Sequence, residues 1–332
     1  MPSYQVTLLP SQHQFFASSK HSILHAGLEA GLNLRYGCDG GNCGKCMARR
    51  IEGDIEPIRH SDYVYSASEK QQQEFLSCCY AAASDITIEM PEIGNVQELC
   101  EQRVTAKVYK MQPLSDSVIA VFFKMPRSQP LHFLAGQYVR LKINDGLKRN
   151  KSIASCPCDS LKPEFHIQRN PGDPFSDSVY HHLKKGDQVE IKGPCGNFVL
   201  DGDSNRPLVL IAFDTGFASI KSLIEQAIAL EKEQPITLYW ILTPGHDAYL
   251  ENYCRSLQHA LDNFSYQMVP LDQRSDDRVS QQLQQILAGI EAARHSDIYV
   301  TLPVELRKLA KQQLTAAGID DRHWRIDTIK KL

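Results

Sequence analysis

The chain has 332 residues, 23% of them charged, with 36 Lys and Arg against 39 Asp and Glu and a formal net charge of −3. That balance shows no basic stripe of the kind nucleic acid demands. The longest apolar runs, such as PLVLIAF at 207–213, fall short of the roughly 20 residues a membrane span needs. The length predicts two or three domains at roughly 100–200 residues each.

The opening MPSYQVTLLPSQHQ lacks a basic stretch followed by an apolar one, so a cytoplasmic protein is expected. Ten cysteines in such a compartment are expected to stay reduced and to bind metal or do redox work.

Taken in chain order, YQVTLLP alternates as a strand, and SILHAGLEAGL (22–32) carries apolar residues at helical spacing. The loop YGCDGGNCGKC (36–46) follows, then a strand at SDITIEM (84–90). PEIGNVQELCEQ (91–102) has no clear period and reads as a linker. From 103 to 200 short strand-like runs (RVTAKVYKM, SVIAVFFKM, QYVRLKI, EFHIQR, QVEIKG) are separated by Gly, Pro and Asp, with one helix at DSVYHHLKK. This predicts an antiparallel barrel or sandwich. Beyond 205, the runs PLVLIAF, ITLYWIL, SYQMVPL and DIYVTL alternate with helical segments near 217–231, 247–261, 279–293 and 304–316. That alternation predicts a doubly wound parallel sheet. The expected division is therefore 1–92, a linker at 93–102, 103–202 and 203–332.

The first chemistry-bearing motif is Cys38-x4-Cys43-x2-Cys46, with a further thiol at Cys78 or Cys79. The C-x4-C-x2-C…C spacing is that of plant-type [2Fe-2S] clusters. Gly37, Gly40, Gly41 and Gly44 let the loop wrap closely around cluster sulfides. Zinc is the competing reading, but it favours paired C-x2-C units, and LSCCY is not one. Residues 4–90 resemble a plant-type ferredoxin domain, implying a β-grasp fold. In that family the fourth ligand follows a Leu-Ser or Leu-Thr pair, which selects Cys78 and leaves Cys79 as a packed neighbour.

The middle segment is similar to the flavin-binding barrel of the ferredoxin-NADP reductase superfamily, at AGQYVRL (135–141), RNKSIAS (149–155) and GPCGNF (193–198). The family pattern Arg-x-Tyr-Ser/Thr is matched by Arg149 and Ser152, with Lys151 in place of the aromatic. The resemblance implies that Arg149 pairs with the FAD diphosphate and that the Ser152 hydroxyl meets flavin N5 as the catalytic group. Lys151 then lies along the ring or near its N1. Taken alone, Arg149 reads better as a solvated surface arginine; its setting between AGQY and GPCGNF is what points to FAD. In NPGDPFSDSV (170–179), Gly172 and Ser176 match diphosphate-binding positions, and Asp173 or Pro174 replaces the family's second Gly. His166, His181 and His182 are read as packing or surface groups.

The last segment is similar to the superfamily's NAD(P)H domain. The family's Gly-Gly-Thr-Gly-x-Ala-Pro is here FDTGFAS, which keeps Thr215, Gly216 and Ala218 but places Phe213 and Asp214 at the glycines. A carboxylate 4 Å from a diphosphate would repel it by about 4 kcal/mol at an effective dielectric of 20. ILTPG (241–245) lacks the family's arginine, and Thr301 and Leu302 stand at its Cys-Gly positions. Trp324 is either a remnant of the aromatic ending or core.

This order of domains resembles oxygenase reductases and the CDP-6-deoxy-3,4-glucoseen reductase-like family. The resemblance implies an electron-transfer oxidoreductase carrying electrons from NAD(P)H through FAD and a [2Fe-2S] cluster to a redox partner protein, an oxygenase or dehydratase. The second reading is a carrier or accessory subunit that keeps the cluster, has lost nicotinamide binding and is fed by another protein. A redox sensor is a third, for which no residue speaks directly.

Overall fold

A computed structural model describes residues 2–38, 40–143, 146–273, 275–290 and 293–329. Three sheets follow one another along the chain. The first unit contains β1 (Ser3–Leu9), β2 (Gln14–Ser18), α1 (Ile23–Glu29), β3 (Met47–Glu52), β4 (Ile55–Pro57), α2 (Ala67–Gln71), β5 (Glu74–Leu76), β6 (Tyr80–Ala82) and β7 (Ile86–Glu89). Its main sheet runs β2-β1-β7-β3-β5, with β1 and β7 parallel, and the helix lies across it in the β-grasp manner. Ser22 caps α1 by accepting the His25 N–H, and Ile23, Leu24 and Ala26 are buried against Val6, Leu8 and Ile88.

The second unit comprises β8 (Gln102–Pro113), β9 (Val118–Lys124), β10 (Tyr138–Lys142), β11 (Lys148–Ser152), β12 (Glu164–Gln168), α3 (Pro174–His181) and β13 (Gln188–Cys195). Its sheet, β11-β10-β13-β8-β9-β12, is antiparallel throughout, and the edge strands β11 and β12 come into contact and nearly close the barrel. The strands alternate: in β8, Val104, Ala106 and Val108 face inward and the residues between face water. β11, the strand that carries Arg149 and Ser152, has no alternation in its sequence KRNKS; pairing with β10 alone fixes it.

The third unit holds β14 (Leu208–Phe213), α4 (Phe217–Ala229), β15 (Ile236–Leu242), α5 (Glu251–Ala260), β16 (Phe264–Pro270), α6 (Asp276–Gly289), β17 (Asp297–Pro303), α7 (Arg307–Ala316) and β18 (Trp324–Ile329). The parallel sheet runs β16-β15-β14-β17-β18. Helices α4 and α5 pack on one face and α6 and α7 on the other, so the sheet is doubly wound as expected. Every residue of β14 and β17 is buried, which is why β14 reads as an unbroken apolar run and β17 as one broken only by Asp297 and Thr301. The order reverses between β14 and β17, and a switch point at the carboxyl ends of strands is where such sheets bind ligands.

Candidate functional site

The cysteine loop leaves α1 and rejoins the sheet at β3. Its thiols meet in two pairs. The Sγ atoms of Cys46 and Cys78 lie 3.3 Å apart, and the side chains of Cys38 and Cys43 hydrogen-bond one another. Cys46 and Cys78 are fully buried, whereas Cys43 is exposed at the rim. Burial opposes ionisation of Cys38, but hydrogen bonds from the backbone of Asn42, Gly40 and Cys43 and from the Cys43 thiol outweigh it. They hold Cys38 below the usual thiol range. The hydrogen bond with Cys78, then burial, pushes Cys46 upward in the metal-free chain.

Two thiols per iron is the ligand arrangement of a [2Fe-2S] cluster, and two thiol pairs, three thiols from the loop and Cys78 from the turn between β5 and β6, fit it better than a single zinc ion. The glycines have separate reasons. Gly41 sits at φ +76°, where a side chain would be strained, and a Cβ there would come within 2.7 Å of Cys79 Sγ. Gly37 has an ordinary φ, but a Cβ would lie 3.0 Å from Cys43 Sγ. Cys79 lies 3.6 Å from Cys78, is fully buried, and is pushed up to about 12 by burial and then by Cys78.

The same loop docks on the barrel. The rings of Tyr36 and His132 meet edge to face at 4.2 Å, and the Tyr36 hydroxyl bonds Ser160 Oγ. Burial pushes His132 down to about 4, so this contact is made by a neutral imidazole.

On the barrel, Arg149 and Lys151 project beside Phe175, each charged group 5.9 Å from its ring. Arg149 pairs through Nη2 with Asp173, while its buried Nε has no hydrogen-bond partner. Lys151 is half-buried and, among the described residues, its ammonium has no acceptor. Burial, then repulsion from Arg149, pushes it down to about 8 against the pull of Asp173. Gly172, at φ +88°, faces open space. An orphaned guanidinium N–H and an unpartnered ammonium beside an open glycine form a donor set that fits an anionic diphosphate.

Asp173 works against this fit. It caps α3 by accepting the Ser176 N–H at 2.9 Å and holds one side of Arg149. The Ser176 hydroxyl is already engaged, donating to Gln168 O and accepting from the Asn170 N–H, so it offers nothing to a ligand. Thus Arg149 and Lys151 are brought together as the sequence implied, and Ser176 is turned away.

Ser152 meets a group that sequence reading missed. Its hydroxyl hydrogen-bonds Asp327 on β18, whose carboxylate also lies 3.3 Å from Ser219 Oγ and accepts the Thr328 N–H at 2.9 Å. Burial raises Asp327 to about 6 despite these bonds. The acid stands alone in the polar run WRIDTI, 175 positions from Ser152, so no local signal marked it.

At the switch point the chain satisfies itself. The Phe213 N–H donates to Thr301 Oγ1 at 3.0 Å, and a Cβ on Gly216 would sit 2.4 Å from that same oxygen. Thr215 Oγ1 donates to Gln168 Oε1 at 3.2 Å. The expected repulsion from Asp214 takes a different form. At φ +44° its carboxylate turns inward, accepting the Thr243 N–H at 2.9 Å and the Thr243 hydroxyl at 2.8 Å, and it is 3% exposed. Asp214 therefore closes the end of β15 and does not face outward as a bare charge. The Phe213 N–H, the Thr215 hydroxyl and the Asp214 carboxylate are thus each bonded within the chain.

His166 is a packed group with both ring nitrogens satisfied: its ring bridges Glu164 Oε1 at 2.8 Å and the Tyr249 hydroxyl at 3.0 Å inside a buried network. One further expectation is corrected: the ten cysteines are not all thiols, because Cys156 and Cys158 form a disulfide.

The comparisons agree with this architecture. Residues 6–83 match the 2Fe-2S iron-sulfur cluster binding domain and residues 105–200 the oxidoreductase FAD-binding domain. The chain is 32% identical over 264 residues to terephthalate 1,2-dioxygenase, reductase component 1, of Comamonas sp., covering 80% of this chain and 78% of that one. It is 30% identical over 250 residues to CDP-6-deoxy-L-threo-D-glycero-4-hexulose-3-dehydrase reductase of Yersinia pestis, covering 74% of each. In fold it is similar to the Amycolatopsis cytochrome P450 reductase GcoB, with a TM-score of 0.61, 21% identity and 99% of each chain covered. The chain belongs to the family of oxidoreductases that join a [2Fe-2S] ferredoxin domain to an FAD-binding reductase module and act as reductase components.

Proposed function

We propose that this chain delivers electrons singly to a partner oxygenase or dehydratase in the cytoplasm, drawing them from NAD(P)H. No helix among the described residues is long and apolar enough to cross a membrane. Bound FAD would convert a two-electron hydride into single electrons, and a bound [2Fe-2S] cluster would pass them on. Cys38 and Cys43 would hold one iron, and Cys46 and Cys78 the other. Arg149 Nε and the Lys151 ammonium, beside Gly172, would hold the flavin diphosphate, with Ser176 fixing the backbone of the preceding turn. Ser152 Oγ, bonded to Asp327, would hold a proton at the reactive end; an acid near 6 can keep that proton close to neutral pH. Thr215 and Gly216 would line the nicotinamide side. The observation that carries the reading is the pairing of Cys38 with Cys43 and of Cys46 with Cys78, three of them on a loop docked against the barrel.

A second reading has its own support. Phe213, Asp214 and Thr301 bond to the chain at the switch point, which favours a carrier fed by another protein. One experiment separates the two. Protein isolated anaerobically should contain iron, acid-labile sulfide and flavin. Bleaching by NADH or NADPH supports the reductase, and bleaching by dithionite alone supports the carrier. Colourless protein free of iron and sulfide would end both.

A further inference from the structure

We propose that Cys156-Pro157-Cys158 is a thiol–disulfide exchange site for small disulfides of the glutathione class, and that its reduction adds a hydrogen-bonded link between barrel and ferredoxin domain. The disulfide spans a single intervening residue. A loop that short loses little chain entropy on closure, so the bond is a poor staple and its use lies elsewhere. The two sulfurs differ as an exchanging pair should. Cys156 is 5% exposed, and Cys158 is half-buried and reachable. The Cys158 N–H lies 3.2 Å from Cys156 Sγ, a donor that can take up charge on that sulfur while it is the leaving group of an exchange at Cys158. The Cys156 N–H is fixed to Glu225 Oε2 at 2.8 Å, which holds the loop in place while the sulfurs react.

The loop lies where three units meet. Its 3-10 turn, Pro157–Asp159, packs against α1, and Gln226 on α4 stands between. Gln226 Nε2 donates to Gly31 O at the end of α1, and its Oε1 lies 3.5 Å from Cys156 Sγ. A disulfide sulfur has no hydrogen to give. Only the reduced Cys156 thiol can donate to Gln226 and complete the line Cys156–Gln226–Gly31.

Oxidation proceeds in two balanced steps. The Cys158 thiolate attacks one sulfur of the small disulfide, forming a mixed disulfide and releasing one small thiol. The Cys156 thiolate then attacks Cys158 Sγ, closing the protein disulfide and releasing the second thiol. The two protons leave on the two small thiols, and a dithiol reverses the sequence.

The test uses the whole holoprotein, poised anaerobically across ratios of glutathione to its disulfide, alkylated, and read by mass spectrometry of the 156–158 peptide. The peptide should pass from two alkyl groups to none as the disulfide share rises. Cys156→Ser should trap glutathione on Cys158, and Cys158→Ser should trap far less on Cys156. A peptide alkylated, or unalkylated, at every ratio including dithiothreitol overturns the site, as does a Cys156→Ser protein without an adduct. Amide exchange over 23–34 should be several-fold slower in the reduced form, a difference that Gln226→Ala abolishes; equal exchange in both forms overturns the link.

Discussion

Lys221→Met would remove the cation at the centre of the seam between barrel and nucleotide-type sheet. Lys221 is 6% exposed, and its ammonium donates to Ala154 O at 3.2 Å, Glu164 Oε2 at 2.9 Å and Glu225 Oε1 at 2.6 Å. Burial alone would raise Glu164, yet the His166 hydrogen bond and the Lys221 charge hold it down at about 2. Methionine fills similar volume but leaves two buried carboxylates facing each other. Removing one partner of a buried ionic group costs about 3–5 kcal/mol, a large share of the roughly 5–15 kcal/mol that keeps a domain folded. The sign of the pH dependence follows. Glu225, already raised by burial, loses the Lys221 charge that opposes that rise, so in the variant it titrates above its unfolded value and the lost stability is recovered as pH falls and a proton neutralises it. Both tryptophans, Trp240 and Trp324, lie in the third unit, so guanidinium unfolding followed by their fluorescence reads this seam. A deficit of 3–5 kcal/mol at pH 8, shrinking by pH 5.5 and largely repaired by adding Glu164→Gln and Glu225→Gln, is expected. A deficit below about 1 kcal/mol, or one independent of pH, refutes the reasoning.

Four other outcomes follow from the sites. Asp327 is raised from 3.8 to about 6, so the stability linked to its proton is fully present below pH 4 and lost as pH rises through 6, about 3 kcal/mol in all. Asp327→Asn should therefore exceed wild type in thermal stability above pH 7, with the gap closing near pH 4. Asp173→Gly frees Arg149 at the cost of a cap and should tighten FAD by about tenfold in a flavin-quenching titration, about 1.4 kcal/mol; unchanged affinity counts against the diphosphate assignment. Cys78→Ser should lower iron and sulfide content sharply while Cys79→Ser retains both, and the reverse result would reassign the fourth ligand. Gly216→Ala should cost about 1–3 kcal/mol by overpacking against Thr301 in the same unfolding assay, and an unchanged midpoint would count against that contact.

What the sequence disclosed divides by distance along the chain. Three of the four proposed iron ligands lie within nine positions, so spacing and glycine content sufficed to read that loop. β14 and β17 are legible because burial on both faces leaves mostly apolar residues. β18 carries no clear strand signal, because WRIDTI is half-exposed along its whole length, mixes apolar Trp324, Ile326 and Ile329 with polar residues, and gains its place by pairing with β17. The contacts that give Ser152, Lys221 and Cys156 their partners cross between units, and such pairings leave no period to detect. The Asp214 reading failed for a different reason. Its charge was visible, but the left-handed backbone that turns the carboxylate toward Thr243 is a property of the folded turn.

The departures at the switch point form one physical unit. Thr301 Oγ1 satisfies the Phe213 N–H and lies where any Cβ on Gly216 would go. Asp214 supplies the acceptors for Thr243, and its backbone carbonyl takes the indole N–H of the fully buried Trp240 at 3.0 Å. Returning Asp214 alone to glycine would strip Thr243 of two hydrogen bonds in a buried site, a loss with no gain while Thr301 still occupies the crevice. Changing Thr301 alone would orphan the Phe213 N–H and leave the Asp214 turn in place. On the carrier reading, a nicotinamide-binding crevice would reopen only through paired changes at the Asp214 turn and on β17, each of which is destabilising by itself. That coupling separates a site closed by its own hydrogen bonds from one merely weakened by a misplaced charge, and on that reading neither single reversion restores nucleotide binding, whereas reduction of the unaltered chain by NADH would refute it.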